Sequence, residues 1–156
     1  MLNEARQLQH KIRASIPLSD AMQFSIIELH PRAILVQAPL EPNVNIHGTG
    51  FAGSIYSLAV LTGWALSMHI MALNHIPGEL VVARAEIKYR SPLTGAIQCR
   101  TQASEEDCDA FREGFETSGK GKLVLGVDVG EAENAILQAT YIALSSAPGR
   151  GNKRSA

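Results

Sequence analysis

The chain has few cysteines among its 156 residues, and nothing in their arrangement suggests disulfides. The two cysteines, Cys99 and Cys108, lack C-x-x-C spacing. The charged start "MLNEARQLQHKIR" contains no apolar run of the kind found in secretory signals. We therefore expect two reduced, structural thiols in a cytoplasmic protein.

The chain also lacks a strong charge of either sign. Its 14 basic and 15 acidic residues give a net charge of −1, and the Lys and Arg residues are scattered. Because a nucleic-acid binder needs a concentrated basic surface, this composition favours a small neutral partner or substrate. The length favours one domain, which we place at residues 1–146. Residues 147–156 lack apolar anchors, so a mobile tail is predicted there.

One long segment, Phe51–Ile76, contains no Asp, Glu, Lys or Arg. Its length meets the criterion for a membrane span. However, polar residues are spread along it, no basic cluster flanks it, and alternating strands follow. We expect a helix buried at the centre of a fold, and no membrane association.

Around this helix the pattern predicts an N-terminal helix, Asn3–Arg13, and six strands. Turn residues between successive strands predict three antiparallel hairpins. The predicted pairs are Met22–Leu29 with Ala33–Leu40, Ala83–Arg90 with Ala96–Ser104, and Lys122–Val129 with Ala135–Leu144. The segment Glu106–Gly121 is either a short helix or a lid loop. The order predicts an α+β fold in which one antiparallel sheet curls around the long helix.

One sheet cannot enclose a helix completely, so a second copy is expected to shield the rest. Ala59, Gly63 and Ser67 form a stripe of small residues at i, i+4 spacing on the long helix. This stripe predicts a dimer or a dimer of dimers, with helices of two copies meeting near Ala59 and Gly63.

The stretch "HGTGFAGS" contains a literal G-x-G-x-x-G at Gly48, Gly50 and Gly53. A dinucleotide site would need a strand directly before it and an acid about 20 residues later. The preceding run is broken by Pro39 and Pro42. Since the first acid after the loop is Glu79, the glycines need another explanation.

Two motifs, "NVNIHGTGFAGSIYSLAVLTGW" and "IKYRSPLTG", resemble hotdog-fold acyl-thioesterases over roughly Pro17 to Ser145. Within them the chain is most similar to a small thioesterase-like family often found fused behind a GNAT acetyltransferase domain. The resemblance implies an α+β hotdog fold, an antiparallel sheet wrapped around one central helix. It also implies hydrolysis of acyl-CoA or acyl carrier protein thioesters without a separate cofactor, coenzyme A being part of the substrate.

The chain departs from related phenylacetate-pathway enzymes, which carry N-x-x-G-x-x-H-G-G before a helix with a catalytic aspartate. Phe51 and Ala52 stand in place of the His-Gly, and Val60 stands where the aspartate is expected. Two other functions therefore stay open. A hydratase or dehydratase would need a histidine and an acid, while Val60 is compatible with a non-catalytic acyl-CoA-binding module.

Four residues are candidates for catalysis. Gly53 lies where the amides at a helix N-terminus can stabilise a developing oxyanion. His47 is either a base or a loop cap, and Asn45 either holds a water or forms an Asx turn. Ser54 is either a nucleophile or part of the helix cap. A glutamate from across a dimer is the remaining source of a base: Glu28, Glu41, Glu79 or Glu86.

Substrate contacts are predicted at the loop and on one strand. The loop candidates are Gly48, Thr49, Gly50, Phe51 and, one turn later, Tyr56. The strand candidates for the phosphates of coenzyme A are Arg84, Lys88 and Arg90, whose alternative role is a solvated strand face. No metal site is expected, because no H-E-x-x-H occurs and the two helix histidines, His69 and His75, do not share a face.

Overall fold

Six strands and four α-helices make up residues 2–146, the part of the chain that this computed structural model describes. The tail predicted at residues 147–156 lies outside the described residues. The elements in chain order are α1 (Leu2–Ser15), α2 (Pro17–Ala21), β1 (Ser25–His30), β2 (Ala33–Ala38), a 3-10 turn (Glu41–Asn43), α3 (Ala52–Leu73), β3 (Glu79–Tyr89), β4 (Ile97–Gln102), α4 (Glu105–Ser118), β5 (Lys120–Val129) and β6 (Ala135–Leu144).

The strands form one antiparallel sheet in the order β1-β2-β4-β5-β6-β3. This confirms the hairpins β1–β2 and β5–β6. The predicted hairpin between β3 and β4 is wrong, because β3 pairs with β6 while β4 pairs with β2 and β5. The turn residues Ser91–Gly95 indicate where a strand ends, but they carry no information about the next pairing partner. The described sheet has no parallel βαβ unit, so the glycine loop lacks the structural context of a dinucleotide-binding site.

Helix α3 forms the centre of the core, and the sheet wraps around it as predicted. Leu58, Leu66 and Ile70 are buried, and the helix packs against β4, β5 and β6. Burying each such side chain contributes about 1.5–3 kcal/mol. Helix α3 is also long and apolar enough to cross a membrane, but most of it is buried inside the fold. The sheet therefore accounts for its apolar character.

The stripe of small residues on α3 faces the chain's own sheet. Ala59 and Ser67 are fully buried, and Gly63 lies against the hydroxyl of Tyr141 on β6. That hydroxyl donates a hydrogen bond of 2.8 Å to the carbonyl of Val60, and burial raises its pKa. The predicted contact between the helices of two copies near Ala59 and Gly63 is therefore wrong, because Tyr141 already occupies the space above the stripe.

Strand β3 forms one edge of the described sheet, with β6 as its one neighbour. A bulge between Val82 and Arg84 interrupts its register. The predicted alternation holds for Ala85 and Ile87, which are half-buried, and for Lys88, which is exposed, but Tyr89 on the predicted core face is 47% exposed. Arg90 lies one residue beyond the strand rather than on it.

The segment Glu106–Gly121, predicted as either a short helix or a lid loop, lies largely in a helix, α4. Ser104 caps it by accepting a hydrogen bond of 3.0 Å from the amide of Asp107. Gly119 ends it in the left-handed conformation, at φ 71°. Phe111 is fully buried against the sheet, so α4 is a fixed part of the core.

Both cysteines are free, as expected. Burial raises the pKa of the Cys99 thiol to about 12, and burial also raises the pKa of Cys108. Neither thiol is an activated nucleophile, since activation requires a lowered pKa.

The position of Gly63 predicts that Gly63→Ala destabilises the chain. Alanine in a helix is normally better than glycine by about 1 kcal/mol, but here the new methyl group overlaps Tyr141. Overpacking of this kind costs about 1–3 kcal/mol, so we expect a lower free energy of unfolding in urea. Gly126→Ala is the control, because its methyl group meets no atom within 4 Å. Equal stability of the two variants would contradict this packing.

Candidate active site

Residues 44–51, here called the α3 loop, connect the 3-10 turn to α3. The loop closes on itself through a bridge between Val44 and Gly50. The amide of Asn45 donates to the carbonyl of Thr49 at 2.8 Å. Gly48 has φ +78°, a conformation that side chains rarely adopt. A glycine is therefore required at this one point of the turn.

The side chain of Asn45 holds the α3 loop from inside. Its Nδ2 donates to Thr49 Oγ1 at 2.9 Å and to the carbonyl of Gly50 at 3.3 Å. Its Oδ1 accepts from the amides of His47 at 2.8 Å and Thr49 at 3.1 Å. Both donors and both acceptor sites of the amide group are used. A catalytic water could bind Asn45 only by breaking one of these bonds.

Asn43, which is not among the residues predicted from the sequence, fixes the loop to its surroundings. It is 1% exposed, and its Nδ2 donates to the carbonyls of Met22 and Pro39, both at 2.9 Å. Its own carbonyl accepts from the amide of Phe51 at 2.7 Å. The amide of Gly50 donates to Leu93 at 2.7 Å. The signal in the sequence was a polar residue next to Pro42, which by itself indicates no more than a turn.

The first turn of α3 presents three unpartnered backbone donors. The helical hydrogen bonds begin with the amide of Ile55, which donates to Phe51 at 3.0 Å. Within residues 2–146, the amides of Ala52, Gly53 and Ser54 have no acceptor, and no side chain caps the helix. The helix dipole adds partial positive charge at this end. The available donors thus belong to the helix, whereas the amides of Gly48 and Gly50 are used within the fold.

Two aromatic side chains border this first turn. The half-exposed ring of Phe51 lies over Gly53, where a Cβ atom would overlap it. The hydroxyl of Tyr89 on β3 donates to the carbonyl of Ala52 at 2.8 Å. Burial, with a smaller contribution from Tyr56, raises the pKa of Tyr89, so its hydroxyl keeps the proton that it donates. The start of α3 is therefore tied to the edge strand.

The remaining catalytic candidates have few contacts. His47 is exposed, and its ring makes no hydrogen bond with any described residue. The half-buried Ser54 hydroxyl likewise lacks a described hydrogen-bond partner, so no base activates it in this chain. Among the described residues, no glutamate bonds to the α3 loop; this includes the four predicted candidates, Glu28, Glu41, Glu79 and Glu86.

The predicted phosphate-binding residues are all exposed. Arg84 pairs with Glu86 at 3.3 Å, and Arg90 pairs with Glu133 at 3.2 Å. Lys88 forms no ion pair within the described part of the chain. Exposed pairs of this kind contribute little to stability, so both arginines can exchange partners. Within residues 2–146, no group of three or more His, Cys, Asp or Glu residues is arranged so that it could hold a metal ion.

Val60 lies two turns along α3 from Gly53, on the same face. Seven residues are close to two turns of 3.6 residues, which places the two positions one above the other. There Val60 lines an apolar groove together with Tyr56 and Trp64. The position where the resemblance implies an acid is therefore apolar in its surroundings as well as in its side chain.

The family profile described as "Putative thioesterase (yiiD_Cterm)" matches residues 5–144. The chain belongs to this family. Among solved structures, a "putative thioesterase" from Shewanella oneidensis is 29% identical with a TM-score of 0.80, covering 92% of this chain and 99% of that one. A Chlorobaculum tepidum protein of unknown function is 27% identical with a TM-score of 0.86, covering 91% and 94%.

A more distant similarity identifies the fold of this yiiD_Cterm family member. The Escherichia coli PaaI protein from the phenylacetic acid degradation operon is 14% identical, with a TM-score of 0.62 over 92% of this chain and 96% of that one. At this identity the similarity concerns architecture alone. Together with the sheet wrapped around α3, it confirms the hotdog fold.

The contacts of the α3 loop predict different effects for its two polar candidates. Asn45→Ala removes hydrogen bonds that hold the loop, so we expect a loss of about 1–2 kcal/mol in the free energy of unfolding. His47→Ala removes no side-chain bond and should change it by less than about 0.5 kcal/mol. Urea unfolding of both variants checks this. A destabilised His47→Ala beside an unaffected Asn45→Ala would contradict the assignment.

Proposed function

We propose that this yiiD_Cterm family member hydrolyses acyl thioesters of coenzyme A or acyl carrier protein. The observation that carries the proposal is the set of three unpartnered amides at Ala52, Gly53 and Ser54. When water attacks a thioester, negative charge develops on the carbonyl oxygen. Fixed backbone donors stabilise that charge, and losing one such donor in other enzymes costs about 2.7–4 kcal/mol. The products are a carboxylic acid and a free thiol.

In this proposal Gly53 leaves room beside the amides for the Phe51 ring, which a side chain at this position would displace. Gly48, Thr49 and Gly50 form the wall of the loop, with Asn45 holding its shape. Phe51 shields the first turn from water, which strengthens hydrogen bonds made there. No separate cofactor takes part.

The proposed base is His47. It is the titratable side chain of the α3 loop, and its ring has no hydrogen bond in the described chain that would have to be broken. A neutral imidazole can accept a proton from the attacking water. The thiolate then leaves with a proton from solvent or from the imidazolium. Ser54 is a weaker candidate for covalent catalysis because no described base contacts it.

One observation favours a second candidate function, a non-catalytic acyl-CoA-binding module. Val60 and its apolar surroundings offer no acid on α3. A chain that kept the amides and the groove but lost the base would still bind a thioester. Turnover separates the two candidates.

We also propose that the active unit is a homodimer or a dimer of dimers, in the cytoplasm. Strand β3 leaves one row of backbone groups unpaired in the described chain, and it contains no proline. Ile46, at the tip of the α3 loop, is 95% exposed. A second copy would cover both features. Of the three proposed contacts for the phosphates of coenzyme A, Lys88 would be the most available, because Arg84 and Arg90 are each paired with a glutamate.

The proposed chemistry predicts thiol release from acyl-CoA, followed with a thiol reagent. Gly53→Val should lower kcat/KM by about 100-fold or more, since the valine side chain and the Phe51 ring that it displaces would crowd the amides that bind the carbonyl. Gly126→Val, which places the same atoms in open space on β5, is the control. Because the valine would meet the Phe51 ring, the double variant Gly53→Val with Phe51→Ala repeats the test without that overlap.

The role of His47 adds a second variant to this experiment. Because a positioned base contributes about 100-fold or more to a rate, His47→Ala should lower kcat/KM by about that factor. Unchanged turnover in His47→Ala would remove His47 from the reaction, and absence of thiol release from every acyl-CoA would favour the binding module.

The unpaired edge of β3 predicts that the protein assembles into a dimer or a dimer of dimers. Light scattering of the wild type should give two or four times the chain mass of 16.8 kDa. Val81→Lys, a charge on the edge strand, should shift the protein towards monomer. Val124→Lys is matched in residue type and exposure, 41% against 40%, but lies on the interior strand β5 and should not. A wild-type monomer at micromolar concentration would contradict the proposal.

A further inference from the structure

An open apolar groove runs along the exposed face of α3, between α2 and β3. It has a volume of about 310 Å³, and none of the described residues lining it is charged. The principal side chains are Leu18, Met22, Tyr56, Val60, Trp64 and Val82. Leu18 is 57% and Val82 40% exposed. Large apolar side chains grouped in a concave surface mark a site for an apolar ligand or partner.

The groove begins one turn after the unpartnered amides and continues away from them. Val60 and Trp64 lie seven and eleven residues after Gly53, close to two and three turns of a helix. All three positions therefore share one face of α3. A thioester whose carbonyl reaches the first turn has one of its two arms directed along this face.

The polar groups of the groove decide which arm that is. The indole Nε1 of Trp64 already donates to the carbonyl of Leu80 at 3.3 Å, and the Ser57 hydroxyl donates to Gly53 at 2.8 Å. The pantetheine arm of coenzyme A carries two amide groups, which would lose water here without gaining partners beyond the Tyr56 hydroxyl. Burying an unpaired amide costs about 1–3 kcal/mol or more, whereas each buried methylene contributes about 0.8 kcal/mol.

From this geometry, and resting on the proposed function, we infer that the groove binds the acyl chain and that the substrates are thioesters of unbranched aliphatic acids of medium length. From Tyr56 to Trp64 the helix rises about 12 Å. An extended hydrocarbon with C–C bonds of about 1.52 Å advances roughly 1.25 Å per carbon. The groove therefore accommodates a chain of about ten carbons.

Trp64 sets this length. Its side chain lines the groove and also a second, smaller cavity of about 170 Å³ between α1 and α3. Leu8, Ile12 and Met68 line that second cavity. Ile16 and Trp64 line both spaces, and removing the larger Trp64 ring joins them. The joined groove extends one further helical turn to Met68, about 6 Å, or roughly five more carbons.

The test measures binding without turnover. S-alkyl-CoA thioethers with chains of 2 to 16 carbons have no carbonyl and cannot be hydrolysed. Trp64 is the one tryptophan of the chain, so its fluorescence reports the groove directly. We expect affinity to rise about two- to fourfold per methylene, the upper figure corresponding to full burial, and to level off near ten carbons. Binding that is independent of chain length would overturn the inference.

Two variants and a control complete the experiment, with affinities measured by calorimetry. Val60→Phe narrows the groove near the amides and should reduce the affinity for S-decyl-CoA to that for S-ethyl-CoA. Trp64→Ala should move the levelling point from about ten to about fifteen carbons. Val124→Phe, on an exposed position of β5, should bind as the wild type does. If Val60→Phe also binds as the wild type does, the groove does not hold the chain.

A different occupant would give a different result. If a second copy of the chain fills the groove, Trp64 fluorescence will change on dilution of the protein and will not respond to alkyl-CoA, which overturns the inference. Failure of the proposed function is a separate outcome: thioethers would bind with the expected dependence on length, while no acyl-CoA would release thiol.

Discussion

The burial of an uncharged helix by a single curled sheet is the constraint on which the rest of this structure depends. Helix α3 can be stable only where apolar side chains surround it, and β4, β5 and β6 supply them. The sheet has two edges and covers one side. The other side of the helix is left to α1, α2 and whatever binds there. The groove is therefore a consequence of the fold, and so is its apolar lining.

The same helix brings its N-terminus to the surface with unsatisfied donors. A helix end exposes amides in any protein, and most are capped by a side chain. Here Phe51 stands at the cap position, and its side chain cannot accept a hydrogen bond. The α3 loop uses its own amides internally through Asn45 and through contacts with Asn43 and Leu93. The loop is thereby held in place beside the amides of Ala52, Gly53 and Ser54, and it does not itself accept hydrogen bonds from them.

How far the sequence could predict this structure depends on the range of the interactions involved. Local patterns were sufficient for α3, for the hairpins β1–β2 and β5–β6, and for the exposed side of β3. The pairing of β3 with β6 was not predictable from the turn after Tyr89, because it joins residues far apart in the chain. The small-residue stripe was assigned to the wrong partner for the same reason. The residue that packs on the stripe is Tyr141, which is distant in sequence. It occupies an ordinary inward-facing position in the alternating pattern of β6, so the pattern does not identify it as the partner of the stripe.

The candidate site shows the same division. The glycines, Asn45 and His47 were recognisable because the loop is one short segment. The use of every polar atom of Asn45 follows from hydrogen bonds that residue types alone do not specify. Asn43 went unnoticed because its partners, Met22 and Pro39, are fixed by packing. The sequence shows that Val60 stands where an acid is expected. It does not show the groove around Val60, because the walls of that groove come from α2 and β3 and form only when these elements pack beside α3.

The central claim is that the first turn of α3 receives the carbonyl oxygen of a thioester. A crystal structure with a ketone analogue of decanoyl-CoA, in which a methylene separates the sulfur from the carbonyl, tests it most directly. The account predicts the carbonyl oxygen about 2.7–3.1 Å from the amide nitrogen of Gly53 or of a neighbour in that turn. A carbonyl oxygen bound elsewhere, with the amides of Ala52, Gly53 and Ser54 occupied by another acceptor, would contradict it.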